Sequence, residues 1–253
     1  MKKYRGATAG FLIFLLATTT NLIAPAGAHA DTDADWAWPG TQFDVYKGGL
    51  WYVCSVGYPA WDDAGTRYFI TAGHCFRDDD GRHYVHPDGT DLNVYSPSDH
   101  VHAVGFERIY PKPRNGWYTD VSLVQMYPGK KLSGEGWEHI PNAPSAADVG
   151  DSACLVARYN HAKPNCGKVT STRVELTITG YDSTTVATDA SYCAHGGDSG
   201  GAVYNRSGAL GIEITGDPDH NEPGTAGACR SSFVPIGHVL RFLRRFVPSL
   251  TIY

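Results

Sequence analysis

The chain has 253 residues, with 21 Lys plus Arg against 26 Asp plus Glu and a net charge of −5. An acidic balance argues against a nucleic-acid partner, because that affinity rests on cationic contacts to phosphate. The length suffices for one sizeable core or two small barrels and requires neither a repeat array nor a long linker.

Residues 1–30 read as a secretory signal. Lys2, Lys3 and Arg5 form a basic head, Phe11 to Leu16 with Ile23 an apolar middle, and "AHA" at 28–30 offers small residues for cleavage. The apolar run is broken by "TTTN" at 18–21, far short of the roughly twenty residues a membrane span requires, so no membrane association is expected after cleavage. Loss of this segment and its three cations leaves 223 residues with a net charge of −8. Residues 31–48 read as an N-terminal extension.

Short apolar, β-branched and aromatic runs then follow: "LWYVCSVGY", "RYFITAG", "HAVGFERIY", "DVSLVQMY", "SACLVARY", "KVTSTRVELTITGY", "GAVYN" and "GALGIEIT". Turn sequences such as "DDAG", "DDDG", "HPDG", "PRNG" and "NRSG" separate them, a pattern that predicts an all-β sandwich or barrel. The Pro- and Gly-rich piece from Tyr127 to Asp148 predicts a bridge between two β halves. In "VPIGHVLRFLRRFV", Val239, Leu240, Leu243 and Phe246 share one face, which predicts a closing amphipathic helix with a solvated basic side.

All six cysteines (Cys54, Cys75, Cys154, Cys166, Cys193, Cys229) lie beyond the signal, and an even count in an exported chain predicts three disulfides; fifteen pairings are possible. Zinc is not expected, since no two cysteines have CxxC spacing and the pairs His83/His86 and His100/His102 belong to no metal motif.

"CAHGGDSGG" at 193–201 places Ser199 among glycines. A hydroxyl is a weak nucleophile unless a base takes its proton and an acceptor fixes that base's tautomer. His74 in "FITAGHC" is the candidate base, because it ends an apolar strand and is followed by Cys75. Asp120 in "TDVSLVQM" is the candidate acid, because it opens an apolar strand and should be drawn inward. "GDSA" at 150–153 imitates the serine motif, but Ser152 precedes Cys154 on a predicted strand and lacks the second glycine pair.

"TAGHC", "TDVSLV" and "CAHGGDSGG", in that order, resemble the chymotrypsin-like serine proteases, most closely the secreted actinobacterial branch of the streptogrisins and α-lytic protease. The likeness covers most of residues 49–253. It includes the six-step spacing from Cys193 to Ser199, the Cys154 to Cys166 loop followed by Gly167, "ALG" at 209–211 and the tail "SLTIY". The resemblance implies two antiparallel six-stranded barrels, over 49–135 and 136–253, with the second carrying the C-terminal helix. It implies disulfides 54–75, 154–166 and 193–229. It further implies a secreted, monomeric serine endopeptidase acting on polypeptides without cofactor or metal: Ser199 as nucleophile, His74 as base, Asp120 as its orienting partner, and the N–H groups of Gly197 and Ser199 as the oxyanion hole.

Two departures stand out. Asp198 is expected to be buried and to need a cation, yet Leu155 holds the place where relatives carry Arg; Arg158 is the expected substitute, a free amino terminus the second choice. At the specificity pocket Ser191 takes the base position, Tyr192 replaces a small residue, and Ile214 and Thr215, before Gly216, stand where relatives carry Ser and Gly. Glu213 either attracts a substrate Lys or Arg or bonds to Tyr192, and Asp217, Asp219 and Glu222 add negative potential nearby. Two rivals are an α/β-hydrolase, which needs a helix after the serine where a strand is predicted, and a protease-like protein that binds a host or surface protein with little or no proteolysis.

Overall fold

A computed structural model describes residues 35–78, 81–84, 92–132, 134, 136–137, 139–159, 162–177, 183–216 and 229–253. The predicted signal and the acids Asp217, Asp219 and Glu222 lie outside the described residues. Those that are described belong to one compact unit, Asp33–Tyr253.

The first half carries β1 (Gln42–Lys47), β2 (Leu50–Ser55), β3 (Pro59–Trp61), β4 (Arg67–Thr71), β5 (Asn93–Ser96), β6 (Asp99–Ile109) and β7 (Ser122–Met126). The second carries β8 (Ser152–Val156), β9 (Asn165–Thr177), β10 (Thr184–Ala190), β11 (Ala202–Asn205), β12 (Gly208–Gly216) and β13 (Ser231–Pro235), followed by helix α1 (Ile236–Leu243) and β14 (Thr251–Ile252). Every named strand pairing is antiparallel.

The second half is a closed six-stranded barrel in the order β10-β13-β12-β11-β8-β9, with β9 returning to β10. The first is an eight-stranded sheet, β14-β3-β4-β7-β6-β5-β1-β2, where six strands were expected. Two features account for the difference. β2 and β3 are halves of one run bent at 56–58, where Gly57 N–H donates to Ile70 O and Ile70 N–H to Tyr58 O. The chain end adds β14, which pairs with β3 across the boundary expected at residue 136.

The expected extension 31–48 is also corrected. It contains β1, which pairs with β2 and β5, and its Trp36 is buried, donating Nε1–H to Tyr68 O. Gly48 and Gly49 both have positive φ, the two-residue turn whose twist suits a tight hairpin, and so β1 can fold back on β2. The helix expected through Phe246 ends at Leu243; Ile236, Val239, Leu240 and Leu243 are buried whereas Phe246 is exposed.

In the first half, buried Phe43 of β1 packs against Phe69 of β4 and Phe76 of the 3₁₀ helix after it. Leu155, Tyr192, Val203, Leu210 and Phe233 form a core in the second. Each such side chain contributes about 1.5–3 kcal/mol by leaving water. The halves meet where Tyr58 OH donates to Val203 O at 2.6 Å and where Ser55 N–H donates to Ser199 O at 2.8 Å.

Candidate active site

β4 delivers the chain into the 3₁₀ helix Gly73–Phe76, which carries His74. Asp120, fully buried, lies just before β7 and holds His74 at two points: His74 N–H donates to Oδ1 at 2.8 Å, and Nδ1 lies 2.7 Å from Oδ2. A carboxylate only accepts, so Nδ1 carries the proton and Nε2 is left as a base. Gly73 permits this approach, since a Cβ there would stand 2.8 Å from Pro111 Cγ and 3.0 Å from Asp120 Oδ1. Lys47 Nζ donates to Cys75 O at 2.9 Å and to Arg77 O, and Arg77 donates to Gly81 O and Pro111 O, pinning the loop from inside.

Two consecutive turns share Asp198, and Ser199 is the second residue of the latter. Asp198 N–H donates to His195 O and Gly201 N–H to Asp198 O, both at 2.9 Å. The third residues of these turns, Gly197 and Gly200, have φ of +98° and +90°, a position that in such turns demands glycine. The motif's glycines therefore shape the backbone that presents the serine. Cys75 Sγ, beside His74, lies 4.0 Å from Ser199 O. Among the described residues the hydrogen bonds of the His74 ring run to Asp120 and include none to Ser199 Oγ, and the N–H groups of Gly197 and Ser199 donate to no other described residue.

Ser55 was not singled out from the sequence. Its buried hydroxyl accepts Arg158 N–H at 3.0 Å and donates to Gly197 O at 2.9 Å, fixing the peptide that lies between the two whose N–H groups would form the oxyanion hole. Its one sequence signal is adjacency to Cys54. Also missed was a cluster around buried Glu107, which accepts Ser122 Oγ–H at 2.6 Å and lies 2.5 Å from His83 Nε2. Burial raises the Glu107 pKa, opposed by His83, Ser122 and Arg77.

Asp198 is fully buried, as expected. Its carboxylate accepts backbone N–H groups from Tyr159 at 3.1 Å and His195 at 2.9 Å. The Arg158 guanidinium carbon sits 4.4 Å from the centre of the Tyr159 ring, and its side chain covers Gly197. Burial raises the Asp198 pKa, while the two amides and the His195 and Arg158 charges favour the anion.

At the expected specificity pocket, Tyr192 is fully buried and its OH donates to Glu213 Oε2 at 2.5 Å. Of the two readings of Glu213, the geometry matches the Tyr192 bond. Burial, with Asp198 and Asp189 nearby, raises the Glu213 pKa well above 4.5, against the Tyr192 hydrogen bond, which lowers it. The Ser191 hydroxyl accepts Lys168 N–H at 2.9 Å, Ile214 is buried in the larger core, and Thr215 is exposed beside Gly216.

The disulfides are Cys54–Cys75, Cys154–Cys166 and Cys193–Cys229, the pairs the resemblance implies. They tie the His74 loop to β2, β8 to β9, and the start of the serine loop to the chain before β13.

A family model described as Trypsin matches residues 64–234, more than half of the chain and a span that includes His74, Asp120 and Ser199. Among solved structures, Protease A of Thermobifida fusca is 21% identical with a TM-score of 0.58, over 85% of this chain and 97% of that one. Cellulomonas bogoriensis chymotrypsin is 22% identical with a TM-score of 0.60, over 86% and 98%. The Nocardiopsis protease is 19% identical with a TM-score of 0.57, over 85% and 98%. These structures share the fold, and the family match over residues 64–234 places the chain in the trypsin family of serine endopeptidases.

Proposed function

We propose that the protein is a secreted endopeptidase that cuts polypeptides by acyl transfer through His74, Asp120 and Ser199. The observation that carries this reading is the two-point hold of Asp120 on His74 beside a serine turn bonded to the end of β2. Ser199 Oγ attacks the scissile carbonyl carbon while its proton passes to His74 Nε2, and Asp120 stabilises the resulting imidazolium. The carbonyl oxygen, now negative, is received by the N–H groups of Gly197 and Ser199, each worth about 3 kcal/mol of barrier. Collapse delivers the proton to the leaving amine and leaves an ester on Ser199, which water cleaves by the same steps to release the carboxylate and restore the hydroxyl. Substrate binding draws Ser199 Oγ and Nε2 into the hydrogen bond that the resting site does not make.

Three disulfides fit an oxidising compartment, and residues 1–30 supply the export signal. With Glu213 buried and its Oε2 taken up by Tyr192 OH, this wall of the pocket turns its carboxyl to Tyr192 and away from a substrate Lys or Arg.

Fluorophosphonate labelling tests the reading directly. The wild type should be labelled and should cleave casein, while Ser199→Ala and His74→Ala should do neither. An unlabelled, folded wild type would leave the binding-only alternative, and labelling of Ser199→Ala would place the nucleophile elsewhere.

A further inference from the structure

The loop that carries Asp120 also forms one wall of an open cleft of about 670 Å³, distinct from the serine turn. Its other wall is α1 with the turn after it, and its floor is made by Val186 of β10 and Val234 of β13.

The cleft gathers Arg108, Lys112, Arg114 and Arg245, all exposed, and no acidic side chain lines it. None of the four forms an ion pair with a described residue. On a chain of net charge −5 this is a local reversal of sign.

Charge is only half of the character. Trp117 and Phe246 stand 44% and 58% exposed at the rim, with Phe242 between the cations, so a large apolar surface is left in water. At the floor, Thr185 is 1% exposed and its Oγ1 is buried without a hydrogen-bond partner among the described residues. A buried hydroxyl left unpaired costs about 1–3 kcal/mol, which a ligand group would relieve.

An inorganic anion would satisfy the cations and leave the exposed aromatic rings of Trp117 and Phe246 uncovered. A flat polyanion would touch the rim and miss Thr185. An extended peptide with carboxylates on both sides of an apolar side chain fits the whole: acids to the rim, the apolar group between Trp117 and Phe242, a backbone polar group to Thr185. We propose that this cleft docks an acidic, apolar-centred segment of the polypeptide substrate. The inference rests on the endopeptidase reading only for calling that polypeptide a substrate.

The test uses the full-length Ser199→Ala protein, so that nothing is cut, and fluorescein-labelled Asp-Glu-Phe-Glu-Asp followed by anisotropy. This peptide should bind at least about tenfold tighter than Asn-Gln-Phe-Gln-Asn and than Asp-Glu-Gly-Glu-Asp, and should weaken as salt rises from about 0.05 to 0.5 M. Arg114→Glu with Arg245→Glu should lose at least about tenfold in affinity while, on the Ser199 background, fluorophosphonate labelling stays at the wild-type rate. Equal binding by the charge-reversed protein, or equal binding of the Gly-centred peptide, overturns the proposal, the latter in favour of a plain anion site; so does displacement by inorganic phosphate alone. Failure of labelling with peptide binding intact would defeat the endopeptidase reading and leave the docking cleft standing.

Discussion

Replacing Asp120 by Asn isolates the tautomer argument, because the two side chains have nearly the same shape. Oδ1 of Asp120 accepts the His74 backbone N–H at 2.8 Å, and Oδ2 faces Nδ1 at 2.7 Å. The backbone N–H can only donate, so the Asn oxygen must take its place and the amide NH₂ must face Nδ1. Nδ1 is then forced to accept, its proton moves to Nε2, and the nitrogen that should receive the Ser199 proton is already protonated. The expected loss is about 10⁴-fold in kcat, the size this substitution has in a serine triad, or about 5 kcal/mol of barrier. Stability should change little, since an uncharged amide replaces a fully buried carboxylate in the same volume. The assay is kcat and KM on a chromogenic peptide, alongside thermal melting. A folded Asp120→Asn protein that keeps more than a tenth of wild-type kcat would refute the reasoning.

Glu213 gives a pH-dependent expectation. Its pKa is raised by burial, so the native state keeps a proton that the unfolded chain releases above about pH 4.5, and stability falls as pH rises from there toward the native value. Glu213→Gln keeps an acceptor for Tyr192 and has no proton to lose, so its unfolding free energy should decline less as pH rises above about 4.5, by up to about 1.4 kcal/mol per pH unit; parallel curves of stability against pH would count against a raised Glu213 pKa. Asp198→Ala should strip partners from the Tyr159 and His195 amides, at about 1–3 kcal/mol each, and lower kcat/KM at least about a hundredfold through the displaced Gly197 turn. Arg158→Ala should cost far less activity, because the Asp198 carboxylate is held by backbone amides; equal losses in the two variants would restore an ion pair as the main support.

Motifs near one another along the chain were legible, and relations made across it were not. "TAGHC", "TDVSLV" and "CAHGGDSGG" declared their chemistry because His74 ends an apolar run, Asp120 opens one and Ser199 is set among glycines. β1, β5, β10 and β13 went unread for compositional reasons: β5 is four residues long, β10 is mostly Thr and Ala, and β13 opens with two serines and closes with Pro. Glu213 could not be resolved because alternation along β12 does not say what lies across the barrel from it. The supports of Asp198 were invisible for a deeper reason, since backbone N–H groups belong to every residue but Pro and leave no mark in composition.

The serine turn belongs to neither half alone. Ser199 O accepts from Ser55 at the end of β2, while Gly200 N–H donates to Glu213 O and Glu213 N–H to Gly201 O on the side of β12. His74 and Asp120, by contrast, are held by first-half groups, through Lys47, Arg77 and Pro111. The Oγ to Nε2 separation is therefore set by how the halves are seated, and seating depends on close backbone approach: a Cβ at Gly57 would stand 2.6 Å from Gly200 O. A misplacement of about 1 Å can cost about a hundredfold in rate, whereas both cores could absorb the same shift with their side chains still packed. Small residues along this seam are thus constrained by the reaction more tightly than by folding, although none of them needs to touch the substrate.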